Sequence, residues 1–368
     1  VSLIAALSKS HFVFSPYSLW MNMGAIAEGT TGQAHKELVN FLLLPQDECF
    51  QKQFNELAIS LEPAGEDVKL SRKSLLILDN SVNCHGHWES LVRSQSLLKT
   101  SSAPIKSDPV TAADVIRKNC KLQLPSPNFE GNSVIIDTLS YEGLWTQAFS
   151  DAIVERAPFF DDLGKKVGYV DLMKIKARVK MAYVPSTNAK VLELPVGFEG
   201  RYRMIFGLGL GTTEVRKTTP TILNSVIFDI LETLKESIIP LEVAIPRFRM
   251  TSEVDMRKVM EDMGVKTLWT DIEGTRNISE PAALPSSFIQ RTTVTFVSKG
   301  VKPPIQEVSN IVPEALTKSW TFNDSETGLD PIVGKDFIVD RPFLFGLFDS
   351  KTYTCLFCGT FSTPTYIL

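Results

Sequence analysis

The order of helix-like and strand-like segments constrains the fold of this chain more than any other feature. Helical patterns occupy residues 19–27, 31–43 and 48–61, and the second of these has an apolar face and a stop at Pro45. Strand-like patterns then cover residues 74–79, 133–140, 177–184, 190–194, 202–208, 241–245 and 288–297, and the tail at 337–348 and 353–361. Because the two types do not alternate regularly, the pattern predicts an α+β protein rather than a doubly wound sheet.

One later helix lies among the strands. Residues 253–263 have a helical pattern, preceded by the capping candidates Thr251 and Ser252 and followed by Gly264. Internal repeats and Pro/Gly-rich linkers are absent from the 368 residues, so we expect one domain over residues 1–368.

Composition narrows the classes of partner. Hydrophobic residues make up 43% of the chain and the formal net charge is −4, which leaves no broad basic field for nucleic acid. Uninterrupted apolar runs are too short to span a membrane, so membrane insertion is not expected. The sequons at Asn277 and Asn323 fit secretion, although their number is what chance would give, and their use stays open.

Cysteines and chemical motifs give little support for an enzyme. The five cysteines are an odd number, so at least one is free or pairs with another chain, and the pairing stays open. Cys355 and Cys358 have zinc-knuckle spacing, but a regular strand would place them on opposite faces, so we expect core cysteines. The run at 84–87, Cys-His-Gly-His, offers three soft ligands but is typical of a surface turn.

Other motifs are equally weak. The Gly-x-Gly at 207–211 has Glu214 where a dinucleotide fingerprint needs a third small residue. Lys69, Arg72 and Lys73 form a small basic spot that could meet a sulfated polysaccharide but is more typical of a solvated face. We therefore predict no cofactor, no metal and no catalytic residue.

Several separated stretches together resemble one family. They read FVFSPYSLWMNMGAIAEGTTGQAHKEL at 12–38, LSYEGLW at 139–145, VLELP at 191–195, IPRFRMTSEVDMRKVMEDMGV at 245–265 and VDRPFLFGLFDSKTYTCLFCG at 339–359. In this order they resemble the serpins, and AEGTTG and LFCG are most similar to secreted insect members. The resemblance implies about nine helices, three β-sheets and an exposed reactive loop, here residues 298–337.

Inhibitory serpins are suicide substrates, and this mechanism makes demands on the loop. A target protease cleaves the loop and is acylated, and the loop then inserts as a new middle strand of a large sheet. The family hinge is an acidic pair, Gly-Thr-Glu and several alanines, with Gly300 on its Gly. The corresponding hinge here comprises Ser298, Lys299, Gly300, Val301, Lys302, Pro303, Pro304 and Glu307.

This hinge opposes insertion in two ways. Pro303 and Pro304 have no N–H, so neighbouring strands would keep carbonyls without donors, each costing roughly 1–3 kcal/mol if buried. Alternation would also turn Val301, Pro303, Ile305, Glu307 and Ser309 inward together. Glu307 would then be a buried carboxylate without a partner.

The resemblance also identifies a cluster that controls sheet opening. The serines of Ser-Pro-x-Ser, here Ser15 and Ser18, lie in the family beside an Asn and a His, and the matching residues are Asp137 and Gln290. Asp accepts but does not donate when ionised, so we expect a rewired but satisfied cluster. Trp145 matches a family Trp at the top of the sheet and is expected to be structural.

The scissile bond and the helical cover both depart from the family pattern. Counting forward from Gly300 places the bond after Glu314, before Ala315, whereas counting back from Arg341-Pro342-Phe343 places it after Pro331. Lys318, before Ser319, is the better bait for a trypsin-like enzyme. The segment 112–133 is shorter than its family counterpart, so the helix that crosses the sheet could be abbreviated.

The leading hypothesis is a secreted, monomeric serpin that has lost or nearly lost the trapping mechanism and acts by binding, transport or regulation through an unidentified extracellular ligand. The alternative is a working inhibitor of a serine or cysteine protease that acts through its reactive loop.

Overall fold

Six α-helices occur in the described part of the chain, fewer than the nine that the resemblance implies. The computed structural model describes residues 11–44, 56, 60–61, 65–95, 97–122, 129–215, 217, 219, 222, 227–304 and 336–364. The helices are α1 (Pro16–Ala27), α2 (Gly32–Leu42), α3 (Gly86–Ser94), α4 (Pro109–Cys120), α5 (Ile227–Thr233) and α6 (Met256–Asp262). None of them is long and apolar enough to cross a membrane.

The described strands form three sheets. They are β1 (Phe12–Phe14), β2 (Val68–Asp79), β3 (Asn83–Cys84), β4 (Lys99–Ala103), β5 (Ser133–Gly143), β6 (Trp145–Gln147), β7 (Ser150–Phe160), β8 (Lys166–Ala177), β9 (Lys180–Val184), β10 (Ala189–Val196), β11 (Tyr202–Gly209), β12 (Lys235–Glu236), β13 (Leu241–Asp255), β14 (Ser279–Glu280), β15 (Pro285–Phe296), β16 (Gly300–Lys302), β17 (Phe337–Ile338), β18 (Phe343–Asp349) and β19 (Cys355–Phe361). The predicted α+β class is therefore confirmed.

Sheet I has eight strands in the order β4-β2-β5-β15-β13-β8-β7, with β17 beside β13. Sheet II has nine, in the order β1-β19-β18-β11-β10-β6-β16, with β9 beside β10 and β12 beside β9. Strands β14 and β3 form the small third sheet. Most neighbours are antiparallel, but β5 and β15 at the centre of sheet I run parallel.

An aromatic core joins the two large sheets. Phe248 of β13 stacks on Phe296 of β15 with ring centroids 4.6 Å apart, and its ring also lies 4.6 Å from that of Phe361 in β19. Phe296 meets Phe345 of β18 at 5.5 Å. Packed rings of this kind bury large apolar areas, so they hold the sheets face to face.

The centre of sheet I is covered on both faces. On one face, Ala112 and Ile116 of α4 pack against Leu75, Ile136 and Ile289 of β2, β5 and β15. On the other face lies α1, whose Ser18 and Asn22 are fully buried. The helix that crosses the sheet thus extends over twelve residues, Pro109–Cys120, and the part of the predicted shortening at 123–128 lies outside the described residues.

Two sequence predictions of element boundaries were wrong. The helix expected at 253–263 starts only at Met256, because β13 continues in register with β15 as far as Asp255, whose carboxylate then caps α6 at Arg257 N. The single strand expected at 177–184 is two strands, β8 and β9, which pair with different neighbours. Both boundaries are set by hydrogen-bonded pairing with strands that are distant in sequence. The local sequence pattern carries no information about this pairing.

The expected positions of Cys355 and Cys358 were also wrong. Between Leu347 and Phe348 the β18–β19 register shifts, so Leu356 is an extra residue in β19. This β-bulge reverses the alternation, so the two side chains lie on the same face of β19. Both thiols are free, and Cys358 is buried as predicted while Cys355 is only partly buried.

Candidate functional site

The candidate site is the seam between β5 and β15, where an inserting strand would have to enter. The two strands pair directly, with nine registered pairs from Pro285↔Ser133 to Thr295↔Glu142. The register is interrupted once, between Pro285 and Phe288. Opening this seam requires breaking the parallel ladder and separating residues that α4 and α1 cover.

A buried carboxylate lies on the seam. Asp137 of β5 is fully buried and sits opposite Gln290 of β15. Its Oδ2 accepts from Gln290 Nε2 at 2.8 Å, and its Oδ1 accepts from Ser18 Oγ at 2.6 Å and from Ser74 Oγ at 2.8 Å. Three donors thus converge on one side chain, which accepts all three hydrogen bonds. Asp137 therefore ties β2, β5, β15 and α1 together.

Gln290 continues the network to Ser15. Its Oε1 accepts from Ser15 N at 2.8 Å and its Nε2 donates to Ser15 O at 3.0 Å, so the amide orientation is fixed by both contacts. Ser15 Oγ donates to Leu356 O at 2.6 Å and caps α1 by accepting from Ser18 N at 2.9 Å. The structure thus brings together Ser15, Ser18, Asp137 and Gln290, while their control of sheet opening stays a prediction.

Sequence reasoning missed three members of this network. Ser74 Oγ accepts from Asn22 Nδ2 at 3.2 Å and from Arg72 Nη1 at 2.9 Å while it donates to Asp137. Arg72 Nη1 also donates to Leu97 O, so this residue of the basic spot is built into the cluster. Asn22 Oδ1 is buried without a hydrogen-bond partner. These contacts depend on the pairing of Ser74 with Asp137 across β2 and β5. The local sequence does not show which residues pair across two strands.

Trp145 closes the top of the seam. Its indole Nε1 donates to Val297 O at 2.7 Å, which links the end of β5 to the end of β15. The ring is 4% exposed and packs against Phe149, Phe206 and Phe296 at centroid distances of 5.4, 6.2 and 6.0 Å. A role in packing was predicted for this residue, and its contacts fit that role.

The hinge is paired with β6 rather than left free. In β16, Gly300 lies opposite Trp145 and Lys302 opposite Gln147, in parallel register. A Cβ at Gly300 would lie 2.3 Å from Ala148 N, so the close approach of the two backbones requires glycine. The seam between β5 and β15 therefore continues upward as the pairing of β6 with β16.

Four carbonyls of the hinge are held. Those of Lys299, Lys302 and Ser298 accept from the backbone N–H groups of Trp145 (3.1 Å), Ala148 (3.0 Å) and Phe149 (2.9 Å), and that of Pro303 accepts from Gln147 Nε2. Val301 is partly buried, while Lys302, Pro303 and Pro304 are exposed. At roughly 0.5–1.5 kcal/mol each, these bonds together stabilise the present position of the hinge by about 2–6 kcal/mol.

The rest of the predicted loop lies outside the described residues. This applies to Glu307, to the scissile candidates Glu314, Ala315, Lys318 and Ser319, and to the sequon at Asn323. The inward orientation of Glu307 after insertion and the position of the cleaved bond stay predictions.

The Cys-His-Gly-His run and the Gly-x-Gly run lie in ordinary secondary-structure positions. Cys84 ends β3, and His85 precedes α3 with its Nε2 3.1 Å from Arg276 O. In the part of the chain that the structure describes, no three His, Cys, Asp or Glu side chains come together as a metal site. Gly207 lies within β11 rather than in a loop.

Comparison with known proteins identifies the fold and the family. A family model for Serpin (serine protease inhibitor) matches residues 1–364. The chain belongs to the serpin family. Human Serpin B9 is 22% identical over 372 residues, covering 97% of this chain and 94% of that protein. Iripin-2 of Ixodes ricinus is 22% identical over 365 residues, covering 95% and 87%.

Solved serpins have the same architecture. Serpin48 of the insect Tenebrio molitor superposes with a TM-score of 0.76 at 20% identity, over 99% of this chain and 94% of that one. Serpin-12 of Manduca sexta gives 0.80 at 17% identity, over 99% and 96%. Uncleaved ovalbumin gives 0.79 at 18% identity, over 99% and 97%. The resemblance read from the sequence is confirmed.

The polar network generates a stability prediction. In Asp137→Asn, one of the two acceptor oxygens is replaced by an NH₂ group. In one orientation this NH₂ faces another donor, Gln290 Nε2; in the other it replaces the oxygen that accepts from the hydroxyls of Ser18 and Ser74. We expect a loss of about 1–3 kcal/mol in the free energy of unfolding, measured by urea denaturation. Asp114→Asn on the exposed face of α4 serves as the matched control.

The double variant Asp137→Asn with Gln290→His rebuilds the pair that the family resemblance places here. It should recover part of the loss, because an imidazole can present either a donor or an acceptor to the amide. An Asp137→Asn protein as stable as the wild type would contradict the network.

Proposed function

We propose that this serpin is severely impaired as a suicide inhibitor and acts by binding, transport or regulation, with its loop hinge kept outside sheet I. The observation that carries the proposal is the Pro303-Pro304 pair directly after β16, where the Pro303 carbonyl already accepts a hydrogen bond from Gln147 of β6. Insertion needs this segment to leave β6 and to form a ladder between β5 and β15.

Both halves of that exchange are unfavourable. Leaving β6 gives up the four hinge bonds, and entering the seam first breaks the β5–β15 ladder and the contact between Gln290 and Asp137. Pro303 and Pro304 then return no N–H groups to the strands on either side. An inserting strand normally recovers roughly 0.5–1.5 kcal/mol for each bond formed, so a hinge with fewer donors stalls at its first residues.

A working protease inhibitor is the second candidate function. Its support is that β5 and β15 pair directly, so the position that an inserting strand would take is available. Serpins of this fold include a mouse protein-Z dependent protease inhibitor, 16% identical to this chain. In this reading a protease cleaving near Lys318, Glu314 or Pro331 would be the partner.

One assay separates the two functions. The protein is incubated with trypsin-like, chymotrypsin-like, elastase-like and papain-like proteases, and the mixtures are run on a denaturing gel. We expect loop cleavage with the protease activity retained and without a complex that survives denaturation. A covalent complex at an equimolar ratio would overturn the proposal.

Rebuilding the hinge tests the physical cause. The variant Lys302→Glu, Pro303→Ala, Pro304→Ala and Glu307→Thr removes both prolines and the acid, so its cleaved form should insert the loop. We expect its melting temperature after cleavage to exceed that of the cleaved wild type by roughly 5 °C, equivalent to about 4 kcal/mol, since the unfolding entropy per residue makes each kcal/mol worth about 1.3 °C in a chain of this length.

Two controls isolate the prolines. Pro158→Ala changes an exposed proline of β7 far from the hinge and should leave the cleaved form unchanged. Gln147→Ala frees the Pro303 carbonyl but keeps both prolines, so it should not restore the gain alone. Should cleaved wild-type protein already melt far above the intact protein, the proline argument is wrong.

Secretion is part of the same proposal. Asn277 is exposed in the turn between the 3₁₀ helix Ile272–Thr275 and β14, at the rim of a cavity that it lines together with residues of α3. Protein secreted from insect cells should lose mass on treatment with an N-glycosidase, and Asn277→Gln should remove most of that loss. Asn323→Gln is the comparison for the second sequon. If the secreted protein carried no N-linked glycan, neither sequon would support the proposal of secretion.

A further inference from the structure

The β-bulge in β19 places two cysteines side by side. Cys358 pairs with Gly346 and Cys355 with Phe348, so residues three apart in β19 face residues two apart in β18. The separation of their Cα atoms is thereby reduced from about 10 Å in a regular strand to about 7 Å. The two side chains consequently lie on the same face of β19.

The surroundings of the pair are apolar and partly open. Cys358 is 2% exposed, whereas Cys355 is partly exposed and also contacts Phe357 O at 3.4 Å. Burial raises the pKa of the Cys355 thiol, which favours its protonated form. Cys355 is the more accessible thiol of the two.

The bulge is held in place by the polar network of the seam. As the extra residue, Leu356 is left without a ladder partner, and its carbonyl accepts from Ser15 Oγ at 2.6 Å. Leu356 itself is fully buried. The backbone between the two cysteines is thus fixed before any ligand arrives, which is the condition for a preorganised site.

This geometry suits a bridging ion better than a disulfide. A Cα separation of about 7 Å lies at the upper limit for disulfides, so forming one would pull a buried strand out of register. An ion between the sulfurs instead adds two metal–sulfur bonds, about 2.3 Å each for zinc. Zinc itself needs four ligands, and among the described residues no group of three metal-ligating side chains exists.

We infer that Cys355 and Cys358 form a two-thiolate site for a soft monovalent cation of the Cu(I) class. Soft thiolate ligands favour Cu(I). Two such ligands are enough for Cu(I), whereas harder divalent ions need more. On binding, each thiol loses its proton, two metal–sulfur bonds form and two protons pass to solvent, without a change in oxidation state.

The test is a competition for Cu(I) with the reduced full-length protein under anaerobic conditions. Cu(I) is supplied as its complex with bathocuproine disulfonate, and loss of the coloured complex measures transfer to the protein. We expect the wild type to take up one equivalent, and Cys355→Ser and Cys358→Ser to lose at least tenfold in apparent affinity. X-ray absorption of the loaded protein should report two sulfur neighbours.

The remaining cysteines provide matched controls. Cys84→Ser and Cys120→Ser each remove one thiol elsewhere in the described structure and should keep the full equivalent. If Cys358→Ser does not fold because its site is buried, Cys355→Ser at the partly exposed position carries the test. Circular dichroism melts identify which variants are folded.

Three results would overturn the inference. The wild type could fail to compete with the chelator, or Cys355→Ser could retain the same equivalent as the wild type. Alternatively, mild oxidation with glutathione disulfide could make the protein lighter by two hydrogen atoms and link Cys355 to Cys358 in a peptide map, which would assign a disulfide instead.

Discussion

The Asp137 carboxylate is the contact on which the centre of the molecule depends. One oxygen receives the hydroxyls of Ser18 and Ser74 and the other receives Gln290 Nε2, so the group joins α1 to three strands of sheet I. A buried carboxylate is tolerated only while its partners remain, since an unpaired charge in an apolar interior is costly. Because Gln290 lies in β15 and Asp137 in β5, a movement that parts these strands would break the hydrogen bond between them.

The hinge adds a second restraint of a different kind. Three of its four bonds to residues 145–149 are donated by backbone N–H groups and the fourth by the Gln147 side chain. This close approach depends on Gly300, because a side chain there would collide with Ala148. The prolines that follow act on the other state, since they weaken the ladder that insertion would form. In the function that we propose, one restraint stabilises the starting arrangement, the other destabilises the product, and both disfavour insertion.

The sequence allowed the fold class and the family to be predicted, because these depend on period, order and motif. Asp137 and Gln290 could be found through the family pattern, whereas Ser74, Asn22 and Arg72 could not, because only the β2–β5 register brings them to the carboxylate. The bulge at Leu356 was missed for the same reason. A single extra residue in β19 shows itself only against its partner β18. The end of β13 also depends on pairing rather than propensity.

The parallel seam does not stop where sheet I stops. Strands β5 and β15 leave the sheet together, and their continuations β6 and β16 remain neighbours in sheet II, with the Trp145 indole bridging the junction. The upper ends of β5 and β15 are therefore held together by the pairing of β6 with β16. The opposite end differs, because the register already slips between Pro285 and Phe288. Separation of β5 from β15 would therefore begin at this irregular lower end and would have to pass the Asp137 carboxylate before it reached the upper end.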